Sequence, residues 1–302
     1  MSDPAHPAHP AYPAEPGRPT AAVSTAALMH AVVFGDSAYP SGRYTLSHGL
    51  EGLVQRGRVH GVSQCTDALL DHLRITAAPG DGVATAVATM IALSVPPYAD
   101  ATPRPHHPQS VDRAIQLVEY LDAELEAMKV TQELRKASTR VGRQTLQVHA
   151  QVADALGQDQ DAPSSDDRGA SGAAHVLAAY SQRARNRDVP GSQAVALGLI
   201  HATQGLDAEQ AVAVELTGLA VGWSSAALRL SQCDHIGAQA MVARAIPLIA
   251  ELAAQCAEHA DELLDAADPG DPRSFATLGR SSPGLDIASA QHQIAPARLF
   301  MS

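Results

Sequence analysis

A chain of 302 residues, 45% of them apolar, is long enough to bury a core as one large or two ordinary domains. Its formal net charge of -11 sets aside a nucleic-acid-binding role, because phosphate contacts need a basic surface. Aromatics make up only 3% while Ala and Leu are plentiful, a balance that favours helices over strands, so the predicted fold class is all-α.

Residues 1–23 read as a disordered Pro- and His-rich tail, with too few large apolar side chains to offset the entropy of ordering. His6 and His9 within it are weak metal ligands. The tail lacks the basic region and apolar core of a signal peptide, and the cysteines (Cys65, Cys233 and Cys256) are an odd number without CxxC spacing. Both features fit a cytoplasmic, reducing location. The most apolar long window, Ala211 to Leu230, carries Glu215 and Arg229 at helical spacing and reads as a buried helix, not a membrane span.

Residues 24–278 are predicted to form one bundle of about eight to ten helices. Helical pattern starts near Ser24, pauses at the Gly35–Gly42 turn cluster, resumes near Tyr44 and stops at Gly57. A helix from Ser63 is expected to end at Pro79-Gly80, and another runs from Gly82 to Ser94. Pro96–Pro108 is a loop. Val111, Ile115, Val118, Leu121, Leu125 and Met128 then mark one stripe of an amphipathic helix, followed by a companion from Thr131 to Leu156. Residues 158–172 are a flexible insertion. Further helices cover Ala173–Arg185 and the stretch from Gly191 to Gln204.

Asp207 with Gln210 makes a capping box for a helix whose buried face is Val212, Leu216, Leu219, Trp223, Ala226 and Leu230. Gly218, Gly222 and Ala226 form a small-residue strip suited to close approach of another helix, in the core or at a subunit contact. The last long helix aligns Val242, Ile246, Ile249, Ala253, Cys256, Ala260 and Leu263, with Pro247 inside it expected to kink it for want of an amide to donate. Residues 279–302 form an irregular C-terminal tail.

Nucleotide-binding, HExxH and GxSxG motifs are absent from the sequence. The histidines are dispersed; the pair His106-His107 sits in the Pro-rich loop, and Cys233-Asp234-His235 reads as a helix-end turn. Asp122, Glu124 and Glu126 read as a solvated helix face beside Lys129. The residues thus point to an interaction protein, with no catalytic residue, metal ligand or cofactor assigned. The alternatives are a helical metal-dependent enzyme using His48, Glu51 and other ligands, and some other helical interaction protein.

Two segments carry a family resemblance. Phe34 to Glu51 contains Asp36-Ser37, Pro40 and Gly42, then Tyr44, Ser47-His48 and Gly49-Leu50-Glu51. Ser282 to Ser302 contains Leu285-Asp286-Ile287-Ala288-Ser289, His292 and Arg298-Leu299-Phe300. Both resemble the terminal motifs of the UreF family of urease accessory proteins, and Glu133–Gln144 and Ser225–Gln239 are similar to its middle and late helices. Departures are Arg43 where a small residue is common, Ala194–Gly198 in place of Pro-Val-x-Phe-Gly, Gln293 after the histidine, and Met301 near the end.

The resemblance implies an all-α homodimer that binds UreD (also called UreH), recruits the GTPase UreG and delivers nickel to apo-urease, with an effect on GTP hydrolysis by UreG. It also implies a C-terminal tail that orders on meeting UreD. The partner-binding residues carried over are Asp36, Ser37, Tyr39, Pro40, Gly42, Tyr44, Ser47, His48, Gly49 and Glu51, with Leu285, Asp286, Ser289, His292, Arg298, Leu299 and Phe300 from the tail. The 36–42 loop has two readings, a surface that presents Tyr39 and Tyr44 or a helix connection whose rings cap the core. The tail likewise folds on a partner or packs on its own core.

Overall fold

The computed structural model describes residues 23–36, 38–96, 110–158, 172–279 and 282–301. The expected N-terminal tail, Ser37, the His106-His107 pair and most of the 158–172 insertion lie outside the described residues. Among the described residues the chain is helical with no strands, in ten helices when one long rod is counted once.

Helix α1 (Thr25–Gly35) is capped by the Ser24 hydroxyl, which accepts from Ala27 N. A 3-10 turn (Arg43–Thr45) and short α2 (Leu50–Gln55) follow. Next, α3 (Gly61–His72) continues through a π-helical stretch (Leu73–Gly82) into α4 (Val83–Ser94) as one rod, Gly61–Ser94. The expected break at Pro79-Gly80 does not occur. The wider π geometry gives the Pro79 ring room that a regular α-helix would deny it.

Helix α5 (Val111–Met128) has the predicted bounds, with α6 (Gln132–Gln158), α7 (Gly172–Asn186) and α8 (Gln193–Thr203) after it. Helix α9 (Ala208–Arg229) opens with the expected capping box, Gln210 N donating to Asp207 Oδ1 and Asp207 N to Gln210 Oε1. Helix α10 (His235–Ala266) runs helical through Pro247. Asp234 is its N-cap, so Cys233-Asp234-His235 is a helix start.

The core sits around α4 and α8, which are buried almost all round and pack against each other. Their backbones approach because Gly198 has no side chain: a Cβ there would lie 2.5 Å from Thr85 O. Thr85 Oγ1 donates to Ala194 O at 3.2 Å and Thr89 Oγ1 to Gly198 O at 3.1 Å across the contact. Helix α9 lays Val212, Leu216, Leu219, Trp223 and Ala226 into this core, and Trp223 Nε1 donates to Cys65 O. Three helical stretches, Gly61–Ser94, α9 and α10, are long and apolar enough to cross a membrane by length and composition, and they pack against one another here.

Three further readings are corrected. On α10 the buried face before Pro247 is Ala238, Met241 and Ala245, while Ile246 is exposed and Val242 only half-buried. Asp122 is fully buried, not solvated: it accepts from the Tyr180 hydroxyl, Gly191 N, and the Ser192 amide and hydroxyl. The Gly218–Gly222 strip receives the side chains of Arg43 and His48, not a helix backbone.

Candidate docking site at the C-terminal segment

The tail expected to be irregular contains helix α11 (Pro283–His292), which starts with Pro at a position where the missing amide costs nothing. It buries Ala288, Ser289 and His292 against α2 and α6. Gly52 permits this approach, since a Cβ there would sit 2.7 Å from Ala288 O. Leu285 packs beside Gly49, whose φ of 88° is open to glycine. The Ser289 hydroxyl shares a 2.9 Å hydrogen bond with Thr131.

Glu51 organises the chain beyond α11. Its carboxylate accepts from Leu299 N at 2.7 Å, Phe300 N at 2.9 Å and Gln55 Nε2 at 3.1 Å, and shares a 2.8 Å hydrogen bond with His292 Nε2. Ser47 Oγ accepts from Glu51 N, which fixes the start of α2. On the other side of His292, Nδ1 faces both oxygens of the buried Glu133, and Arg298 lies 3.5 Å from that carboxylate.

The loop reaches the C-terminal segment through its Gly42–Thr45 end. The Asp36 carboxylate accepts from Ala38 N, Tyr39 packs on Phe34 with ring centroids 4.7 Å apart, and Pro40 is exposed. Burial pushes the Tyr39 hydroxyl up to about 12. Gly42, with φ 84°, turns the chain into the 3-10 segment, where Arg43 forms a buried ion pair with Glu215 at 3.1 Å. Arg229 stacks between two rings, 3.8 Å from the centroid of Tyr44 and 4.2 Å from that of Phe300. Met301 N donates to Thr45 O, so the last described residue is tied to the loop.

Beneath α11 lies a cavity of about 110 Å³, lined in part by His48, His72, Lys129, Glu215, Leu285 and Asp286. Burial, reinforced by the neighbouring imidazole and cations, lowers His48 to about 3; burial lowers His72 to about 4. Burial also raises the Glu215 carboxyl despite Arg43. Among the described residues no three His, Cys, Asp or Glu side chains are placed to hold a metal ion.

The structure therefore unites Tyr44, Ser47, Gly49, Glu51, Leu285, Ser289, His292, Arg298 and Phe300. His48 and Asp286 turn to the cavity, while Asp36, Tyr39 and Pro40 sit at the far end of the loop. Leu299 and Ile287 point outward, 63% and 52% exposed, so only Phe300 and, in part, Leu285 act as anchors on the chain itself. Glu133, Arg229 and Thr131 were missed as site residues; a Glu in a helix's first turn and an Arg in its last give no signal in sequence.

The chain matches the UreF family over residues 59–246. It belongs to the UreF family. UreF 2 of Brucella canis, named a urease accessory protein, is 26% identical over 280 residues, covering 92% of this chain and 93% of that protein. UreF 1 of Brucella melitensis is 25% identical over 280 residues, covering 92% and 94%. UreF of Yersinia pestis is 23% identical over 279 residues, covering 92% and 99%. Membership in the UreF family gives the chain an accessory role in urease maturation. The terminal motifs lie outside the family match, yet they build the docked loop and tail.

Proposed function

We propose that this chain is a non-catalytic scaffold for nickel insertion into apo-urease. It binds UreD/UreH through the loop and C-terminal segment, recruits UreG to that complex and modulates GTP hydrolysis by UreG. It works in the cytoplasm as a homodimer, with neither a membrane nor a nucleic acid as partner.

The observation that supports this reading most is the stacking of Arg229 between Tyr44 and Phe300. It joins the motifs from opposite ends of the sequence into one surface. In the same loop and C-terminal segment Tyr44, Ile287, Ile294 and Leu299 are exposed apolar groups that could serve as anchors for a partner. The net charge of -11 suits a basic partner surface.

The test is co-purification with UreD from cells that express both proteins in soluble form. The full chain captures UreD, and deletion of residues 279–302 abolishes capture while helicity stays nearly intact. Equal capture by the truncated chain would remove the tail from the reading, and no capture by either would sink it.

A further inference from the structure

One face of α9 carries Glu215, Gly218, Gly222 and Arg229 at helical spacing. The loop lies along this face. Arg43 enters at Gly218, where a Cβ would lie 2.6 Å from Nη1 and 2.8 Å from Nη2. Its Nη2 donates to the Glu215 carboxylate at 3.1 Å and to Glu215 O at 3.3 Å. Gln193 Nε2 donates to the other carboxylate oxygen at 2.7 Å. The side chains of Arg43 and Glu215 are 12% and 4% exposed, so the pair is shielded from water. Glycine weakens a helix interior, and here it is the notch that admits a guanidinium.

The turn at Arg43 is rigid within itself. Thr45 N donates to Gly42 O at 3.2 Å and Leu46 N to Arg43 O at 2.9 Å, so fixing Arg43 fixes residues 44 and 45 with it. Tyr44 is 53% exposed, too open for packing alone to place it, and its ring lies against the Arg229 guanidinium. Thr45 O accepts from Met301 N. A small residue at position 43 would not reach Glu215, so the seat depends on the arginine.

We infer that Arg43 is the positioning residue of the docking surface. Seated in the Gly218 notch, it holds the 43–45 turn where Tyr44 meets Arg229 and where Thr45 receives the end of the C-terminal segment. A turn fixed before the partner arrives loses less freedom on binding, so the seat raises affinity without touching the partner. Its part in docking rests on the UreD/UreH binding proposed for this surface; the seat itself acts within the chain.

Gly218→Ala in the full chain tests this, because the new Cβ displaces the guanidinium while every charge stays. Alanine suits a helix better than glycine, so the urea midpoint is expected not to fall. Amide hydrogen exchange at Met301 is expected to quicken about tenfold, the equivalent of one hydrogen bond lost. Helices α4 and α8, and the Leu299 amide on Glu51, keep their protection. Capture of UreD falls as well. Arg43→Ala combined with Glu215→Gln removes the pair without stranding a charge and gives the same two effects.

Unchanged Met301 exchange in both variants overturns the seat. A uniform loss of protection across α4, α8 and Met301 overturns it too, as the mark of a merely structural pair. Unchanged capture by both variants, where the wild type captures UreD, overturns its part in docking. Should the wild type itself capture no UreD, the binding proposed for the surface fails, and Met301 exchange still decides the seat.

Discussion

Glu51 and His292 meet at 2.8 Å although 241 positions separate them in the chain. Through that contact the first turn after the loop holds the last helix of the protein. Glu51→Ala removes the acceptor for two backbone amides and one imidazole together. It is expected to lower stability by about 2–4 kcal/mol, a buried charged network losing its centre. A lower urea midpoint, with early proteolysis after residue 279, is the readout; an unchanged midpoint contradicts it.

Gly52 lets α11 close on α2. In Gly52→Ala the new Cβ meets Ala288 O at 2.7 Å and Ala288 C at 3.1 Å, backbone atoms that yield only if the whole helix shifts. Tail proteolysis is expected to accelerate at least severalfold while the far-ultraviolet helical signal changes little.

Asp122 holds the α7–α8 junction through four donors, two of them the amides of Gly191 and Ser192. Asp122→Asn keeps the shape but turns an amide N–H₂ toward donors. The expected loss is about 3 kcal/mol of unfolding free energy in urea, within the range for a broken buried charged network. A loss below about 0.5 kcal/mol, the scale of an exposed site, would return Asp122 to the solvated face.

Burial lowers His201 to about 3, aided by Arg43 and His149, and neither ring nitrogen has a hydrogen-bond partner in the structure. The unfolded chain therefore binds a proton here that the folded chain refuses, between about pH 6.5 and that lowered value. Stability falls as pH drops through this window, by up to about 1.4 kcal/mol per unit from this residue. His201→Leu is expected to flatten the acid limb of a stability-versus-pH curve and leave stability at pH 8 unchanged or higher. An identical acid limb in the variant contradicts the assignment.

Helices were legible wherever burial follows one face. Val111 to Met128 was found to the residue because its apolar stripe has helical period and Ser110 caps it. The π-helical passage through Pro79 was hidden, since nothing in Pro-Gly distinguishes a break from a widened turn held by neighbours. Asp122 was hidden too: a carboxylate looks solvated until Tyr180 and the 191–192 amides are brought to it from about 60–70 positions away. In the tail, Pro283–His292 shows little helical periodicity because its contacts are Ala288, Ser289 and His292, a small, a polar and a titratable residue. The family resemblance marked Glu51 in the loop motif and His292 in the tail motif each as partner-binding, whereas the buried cluster they form with Glu133 is a tertiary fact.

The proposed role has this chain act through the joined loop and C-terminal segment to load nickel into urease. The direct measurement is the nickel content of urease purified from cells lacking the chain and complemented with either the full protein or residues 1–278. Full nickel occupancy with the intact chain and a near-empty enzyme with the truncated one is the predicted result. Equal nickel content in the two, at matched expression, would contradict it.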